Sequence, residues 1–230
     1  MKACAELSLS PAHEVTHAVV MGDLIASEDA TTVRALHARF NAAIDWANRS
    51  GGAGVMSPLT ITLGDEFQGV AATLQGGLQL IRGLRARLLA DDIPCRFVLG
   101  AVRLETPVNP ARAWNMMGQG LAASRRRLED KRDPNAYRFE IPVDPAVQGL
   151  MDALGAGLTD IETGWTDRQR QVVLASQAEA AAPLAARLGM SVQTLYKIRR
   201  AGRYDLYERQ WGALMAMTGR LDQVLGLTTP

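Results

Sequence analysis

Apolar and polar positions over the first 142 residues switch between two periods, and the switching predicts the elements. Val15–Met21 is a short, mostly apolar run closed by Gly22-Asp23, which suits a strand buried on both faces. Thr31–Asn48 sets Val33, Leu36, Phe40, Ile44 and Ala47 on one helical face, and Gly51, Gly52 and Gly54 end that helix. Leu59, Ile61 and Leu63 alternate with Thr60 and Thr62, a period of two and therefore a strand. Gly64-Asp65-Glu66 makes a tight turn, and Phe67–Ala71 returns as a second strand. Leu74, Leu78, Ile81, Leu84 and Leu88 form the inner face of another helix. Cys95–Leu104 reads as a buried strand, Pro110–Glu129 as a helix and Ala136–Ile141 as the last strand.

The order β-α-β-β-α-β-α-β predicts an α+β fold whose first six elements make the ferredoxin-like, split βαβ arrangement. Right-handed crossovers make the first two strands parallel, with the third antiparallel between them. The end of the first strand and the turn joining the next two then share one edge of the sheet. Asp23 stands at the first place, and Asp65 and Glu66 at the second. Crowded carboxylates raise one another's pKa unless a cation neutralises them. Oxygen ligands of this kind favour Mg²⁺ or Mn²⁺, which would polarise phosphate oxygens and help to deprotonate an attacking hydroxyl.

Beyond Pro142 the strand-like runs stop and helix formers take over. Asp144-Pro145, Gly155, Gly157 and Gly164 are rich in breakers, so the chain divides into a palm-like domain over 1–148 and a helical domain over 149–230. Thr166–Ala182 reads as a helix. In the stretch from Pro183 to Arg200, Pro183 fits a first helical position, Gly189 ends that helix and Ser191 caps the next. Ala185, Leu188, Met190, Leu195 and Ile198 suit two helices packed across a tight turn, a spacing that resembles the helix-turn-helix of bacterial regulators. On that pattern Val192, Gln193, Tyr196 and Lys197 face base edges, and Arg199, Arg200 and Arg203 face phosphates.

Charge sharpens this picture. The 230 residues carry 25 basic and 24 acidic side chains, a net +1 that argues against a protein coating DNA non-specifically. Arg187–Arg209 nevertheless holds six basic residues against Asp205 and Glu208, a local +4. No apolar run approaches the roughly 18–20 residues of a membrane span, and the N-terminus lacks the apolar core of a signal peptide. Cys4 and Cys95 are too few for a disulfide framework. The expectation is a cytoplasmic protein with no membrane partner.

Two segments add a family resemblance. Met21-Gly22-Asp23-Leu24-Ile25-Ala26-Ser27 and Leu63-Gly64-Asp65-Glu66-Phe67-Gln68-Gly69, with the rest of the chain, resemble the SatD family of bacterial proteins. The second segment also resembles the GGDEF motif of nucleotidyl cyclases. That likeness implies a nucleoside triphosphate site with divalent metals. Asp23 and Glu66 would be metal ligands, and Asp65 would ligate metal or act catalytically in deprotonating a hydroxyl. The backbone at Leu24 and Ile25 would approach the phosphates, Gly64 the nucleotide, and Arg127, in the cluster Arg125-Arg126-Arg127, would supply a basic contact. Leu63 stands where the motif has its first glycine, and Ile25 where a second acid often follows. These departures favour binding over turnover. The expected function is a regulator in which a cyclase-like domain binds a nucleotide and Mg²⁺ or Mn²⁺ and a helix-turn-helix binds double-stranded DNA, an arrangement that favours a homodimer. The alternatives are a cyclase-type enzyme acting on ATP or GTP, with the C-terminal part for assembly, and a scaffold with neither activity.

Overall fold

The sheet is assembled around β1 (His17–Leu24), whose residues 18–22 are all buried. In the computed structural model, which describes residues 14–25, 33–51 and 54–228, β1 pairs antiparallel with β3 (Glu66–Ala71) on one side and β4 (Cys95–Leu104) on the other. β2 (Val55–Leu63) pairs antiparallel with β3, and β6 (Tyr137–Glu140) pairs parallel with β4. With α1 (Val33–Ser50) after β1 and α2 (Leu74–Ala90) after β3, the order β2-β3-β1-β4 is the ferredoxin-like arrangement, with β3 antiparallel between β1 and β2.

Strand alternation divides the sheet into two faces. Ala18, Val20 and Leu24 turn towards α1 and α2 and join the main core. Val19 and Met21 turn the other way, where they meet Val98, Val102 and Leu128 under α3 (Leu121–Glu129). The helix expected over Pro110–Glu129 is confined to α3, because Asn115 and Gly120 adopt left-handed backbone at φ 58° and 89° and break the preceding segment. Gly118 and Gln119 instead form β5, a short pairing with the end of β4. A Cβ at Gly118 would lie 2.0 Å from the Arg103 carbonyl oxygen, so this approach requires glycine. The segment 105–117 runs over β2 and β3, fastened by Ser57 Oγ donating to the Asn109 carbonyl at 2.6 Å and Gln68 Nε2 to the Ala113 carbonyl at 2.6 Å.

Five helices complete the chain: α4 (Pro145–Thr163), α5 (Asp167–Ala175), α6 (Ala181–Arg187), α7 (Val192–Ala201) and α8 (Tyr204–Leu225). The helix expected over Thr166–Ala182 is two, α5 and the start of α6, so Pro183 is the third residue of α6 and not its first. Gly189, at φ 64°, follows α6, and the Ser191 hydroxyl accepts from the Thr194 N–H to cap α7. Met151 and Leu158 of α4 and Tyr207, Trp211 and Leu214 of α8 belong to the same core as the sheet. Val172, Leu184, Ala185 and Leu195 make a separate small cluster among α5, α6 and α7. No described helix is long and apolar enough to cross a membrane.

α8 is stapled to α2. The Asp222 carboxylate accepts from the Leu74 and Gln75 N–H groups at 2.7 and 3.0 Å, filling donors that the first turn of α2 leaves open. Arg82 pairs with Glu208 at 2.7 Å and lies over the Trp211 ring. Deeper, the Glu162 carboxylate of α4 receives Arg85 of α2, Tyr137 of β6 and Tyr207 of α8. The Glu162 side chain is fully buried, and burial pushes both tyrosine hydroxyls above their ordinary pKa, which keeps them protonated donors. Removing Arg85 would strand a buried charge. Arg85→Ala is therefore expected to lower the unfolding free energy by about 3–5 kcal/mol, measured by urea unfolding. A loss under about 1 kcal/mol would mean that the pair does not organise these elements.

Candidate functional site

The antiparallel register of β1 and β3 sets three pairs of residues directly opposite each other: Val19 with Val70, Met21 with Gln68, and Asp23 with Glu66. All lie on the α3 face of the sheet, by the alternation that puts Val19 and Met21 in the small core there. The ladder thus runs from apolar to acidic within a few residues. Two acids directly opposite each other are destabilising, and two arginines compensate. Arg96 of β4 is the cross-strand partner of Asp23 on its other side, with Nε 2.8 Å from Oδ1. Arg125 of α3 reaches Glu66 Oε2 at 3.3 Å.

The Asp23–Arg96 contact brings opposite charges together without aligning a hydrogen bond. Asp23 Oδ1 and Arg96 Nε are both buried and neither makes one, despite their separation. Burial accordingly dominates at Asp23 and raises its carboxyl pKa to about 6; Arg96 opposes the shift and Asp65 and Glu66 add to it. Asp65 lies in the turn between β2 and β3, and its carbonyl accepts from the Leu24 N–H at 3.1 Å, tying the turn to the end of β1. The topology therefore brings Asp23, Asp65 and Glu66 to one edge, as the strand order requires. Among the described residues, however, no group of three or more His, Cys, Asp or Glu side chains is arranged to hold a metal ion. What fits a hard cation is narrower: the Asp23–Glu66 pair, in which Asp23 Oδ1 already faces Arg96. Mg²⁺ commonly takes one or two carboxylates and completes its shell with phosphate and water.

A cavity of about 280 Å³ opens beside this pair. Val19, Met21, Gln68 and Val70 line it from the sheet, Met116 from the preceding loop, and Leu121 and Arg125 from α3. Arg125 is common to the cavity and to the acidic pair. Neither Arg96 nor the cavity was evident from sequence; an arginine inside the apolar run Cys95–Leu104 was the available signal for the first.

Several expected contacts fall elsewhere. Arg127 does not serve this edge, because its guanidinium pairs with Asp152 and donates from Nε to the Phe139 carbonyl at 3.3 Å. Arg125 is the member of that cluster that reaches this edge. The backbone donors expected for phosphate are already used: the Leu24 N–H by Asp65 and the Ile25 N–H by the Pro94 carbonyl at 2.9 Å. The Leu24 side chain belongs to the main core. Gly64 is exposed in the turn at φ 42°. Gly22 serves packing, since a Cβ there would lie 2.4 Å from the Phe67 ring. Ala26 and Ser27 of the first motif lie outside the described residues.

The seven residues singled out around α7 also divide. Gln193, Tyr196, Lys197 and Arg200 are exposed, with Tyr196 55% accessible. Val192 packs against the small cluster. Arg199 donates from Nε to Ser176 Oγ at 2.7 Å and lies over the Tyr204 and Tyr196 rings. Arg203 pairs with Asp160 at 2.9 Å.

No curated protein matches the chain. Among solved structures, a bacterial light-regulated adenylyl cyclase is similar at 14% identity with a TM-score of 0.42, over 54% of this chain and 75% of that one. A second structure of a bacterial light-regulated adenylyl cyclase gives 13% identity and a TM-score of 0.36, over 54% of this chain and 42% of that one. The SatD family profile matches residues 17–181, from β1 to the first residue of α6. The chain belongs to the SatD family.

Proposed function

We propose that this chain is a cytoplasmic regulator that binds a nucleotide and its divalent cation in the α3-side cleft, and double-stranded DNA through α7. The observation that carries the nucleotide reading is Arg125, which lines an apolar cavity and also touches one of two acids held opposite each other at unfavourable electrostatic cost. A nucleotide has the matching halves, a flat base with apolar faces and a phosphate chain. Met21 and Met116 supply soft apolar wall for the first. Arg125 supplies a planar donor for the second. Asp23 and Glu66 would hold the cation, which when bound polarises phosphate oxygens. The N–H groups of Leu24 and Ile25 are occupied, which leaves the phosphate contact to Arg125.

The DNA reading is supported by a capped ten-residue helix presenting Gln193, Tyr196, Lys197 and Arg200 to solvent within a basic stretch. Glutamine suits adenine edges, and the cations suit phosphate. A homodimer would present two such helices to the half-sites of a palindrome.

Thermal melting with a panel of nucleotides and Mn²⁺ tests the first reading. At least one nucleotide with Mn²⁺ is expected to raise the melting temperature by mass action, and Asp23→Asn/Glu66→Gln is expected to lose the rise. Equal shifts in both proteins would remove the cation from these carboxylates. The same measurement has a defined pH dependence. Cation and proton compete for Asp23, so the ligand-induced shift is expected to be full above pH 7 and to fall below pH 6. Stability of the ligand-free protein runs the other way. A folded pKa raised from 3.8 to about 6 means that the folded state holds this proton more tightly than the unfolded state. The cost of the charged carboxylate is present above pH 6 and is relieved as pH falls towards 4. Asp23→Asn is thus expected to raise the melting temperature of the free protein at pH 8 and to leave it unchanged near pH 4.

A salt series of mobility shifts on double-stranded DNA tests the second reading. Lys197→Ala/Arg200→Ala is expected to reduce the slope of log K against log salt by about 2, close to one per lost phosphate contact. An unchanged slope would take α7 off the DNA.

A further inference from the structure

We infer that the Arg125–Glu66 ion pair is an exchangeable gate, which an anionic group and a divalent cation open together. The nucleotide's identity as the natural ligand rests on the reading above; the gate rests on four side chains. Arg125 and Glu66 lie 3.3 Å apart with side chains 44% and 24% exposed, so the contact is long and open to solvent. Pairs of this kind contribute little and open easily. The neighbouring pair is different. Arg96 is 9% exposed, its partner Asp23 is shielded, and their 2.8 Å contact stays within the fold. Arg96 Nε and Asp23 Oδ1 are held against each other, so the outer pair is the one free to exchange.

Each side of the outer pair has one chemical replacement. An anion taken by Arg125 releases Glu66, and a cation taken by Glu66 releases Arg125. Either ion alone leaves a partly desolvated charge without its mate, whereas both together leave none. The preference is reciprocal by linkage: the anion raises affinity for the cation by the factor with which the cation raises affinity for the anion. Because Arg125 also lines the cavity, its release changes the wall against which the rest of the ligand would lie. The chemistry selected is an apolar body carrying a phosphoryl group together with a divalent cation. The closed pair disfavours a bare metal ion and an anion that arrives without one.

Simple ions on the full chain test the gate without a nucleotide. Mn²⁺ binding is read from the loss of the free-ion electron paramagnetic resonance signal, and pyrophosphate binding by titration calorimetry in EDTA. Glu66→Gln leaves Arg125 unpaired and is expected to bind pyrophosphate about two- to fivefold more tightly than wild type, the factor equivalent to opening one partly exposed ion pair. Arg125→Gln is expected to bind Mn²⁺ alone more tightly by about the same factor, while Arg125→Lys, which keeps the charge, stays at the wild-type value. Gain in both variants upholds the gate. Gain in one or neither overturns it, since exchange requires both. Both gains without any nucleotide-dependent melting shift in wild type would uphold the gate and remove the nucleotide reading. A nucleotide shift without the gains would do the reverse.

Discussion

A carboxylate buried without water must find its compensation inside the protein, and Glu162 sets that constraint for most of this fold. Its partners come from three other elements: Arg85 from α2, Tyr137 from β6 and Tyr207 from α8. None is adjacent to it in sequence, so the carboxylate is satisfied only when α2, β6, α4 and α8 have all docked. Arg85 is further committed to the Cys95 carbonyl at 2.8 Å, which carries the constraint into β4 and the centre of the sheet. The aromatic rings follow the same geometry, with Tyr137 edge-on to Trp211 at 5.2 Å and Trp211 near Tyr207 at 6.2 Å. Hydrophobic burial supplies the bulk of the stabilisation. The network specifies which helix lies where, because any other docking would leave the charge unpaired.

Glu162 and Asp23 make an instructive contrast. Glu162 is fully enclosed and fully met by donors, which is what a structural charge requires. Asp23 is less enclosed yet less well met: its arginine is at contact distance but misaligned, another acid lies directly across the strand, and its pKa rises to about 6. A fold that satisfies one carboxylate so completely has the means to satisfy another. On the proposed reading, the poorly satisfied acid next to the cavity takes its remaining partner from a bound ligand.

The sheet and its order were legible because each signal was local. Alternation at Leu59–Leu63, the apolar runs at Val15–Met21 and Cys95–Leu104, and right-handed crossover fix the strand order and bring Asp23 beside Glu66. The loop over 105–117 was not legible. Its helix-like spacing is overridden by left-handed backbone at Asn115 and Gly120 and by tertiary hydrogen bonds to Ser57, Thr60 and Gln68. The basic side of the site was hidden for a different reason. Arg125, Arg126 and Arg127 are indistinguishable as a run, and only the orientation of α3 decides that Arg125 turns to Glu66 and Arg127 to Asp152. The extent of the main core was equally long-range, since Asp222 caps α2 across 148 residues of sequence.

That long-range bookkeeping also revises the basic stretch. A net +4 over Arg187–Arg209 counts formal charges, but four of the six cations already have partners within the fold, Arg209 through the Asp205 carbonyl at 3.3 Å. Arg187 pairs with Glu179 at 2.7 Å, Arg203 with Asp160, and Arg199 is fixed between Ser176 and two tyrosine rings. Lys197 and Arg200 are the cations that α7 itself presents to solvent. Two phosphate contacts give roughly two units of salt dependence and little affinity by themselves. A single copy of this helix is therefore too weakly charged to hold DNA by electrostatics. Occupancy on the proposed reading would depend on base contacts from Gln193 and Tyr196 and on a second copy of the chain, whose helix would double the phosphate contacts. The near-neutral total and the small exposed patch are then aspects of one design, in which binding is conditional on sequence and assembly and not on charge alone.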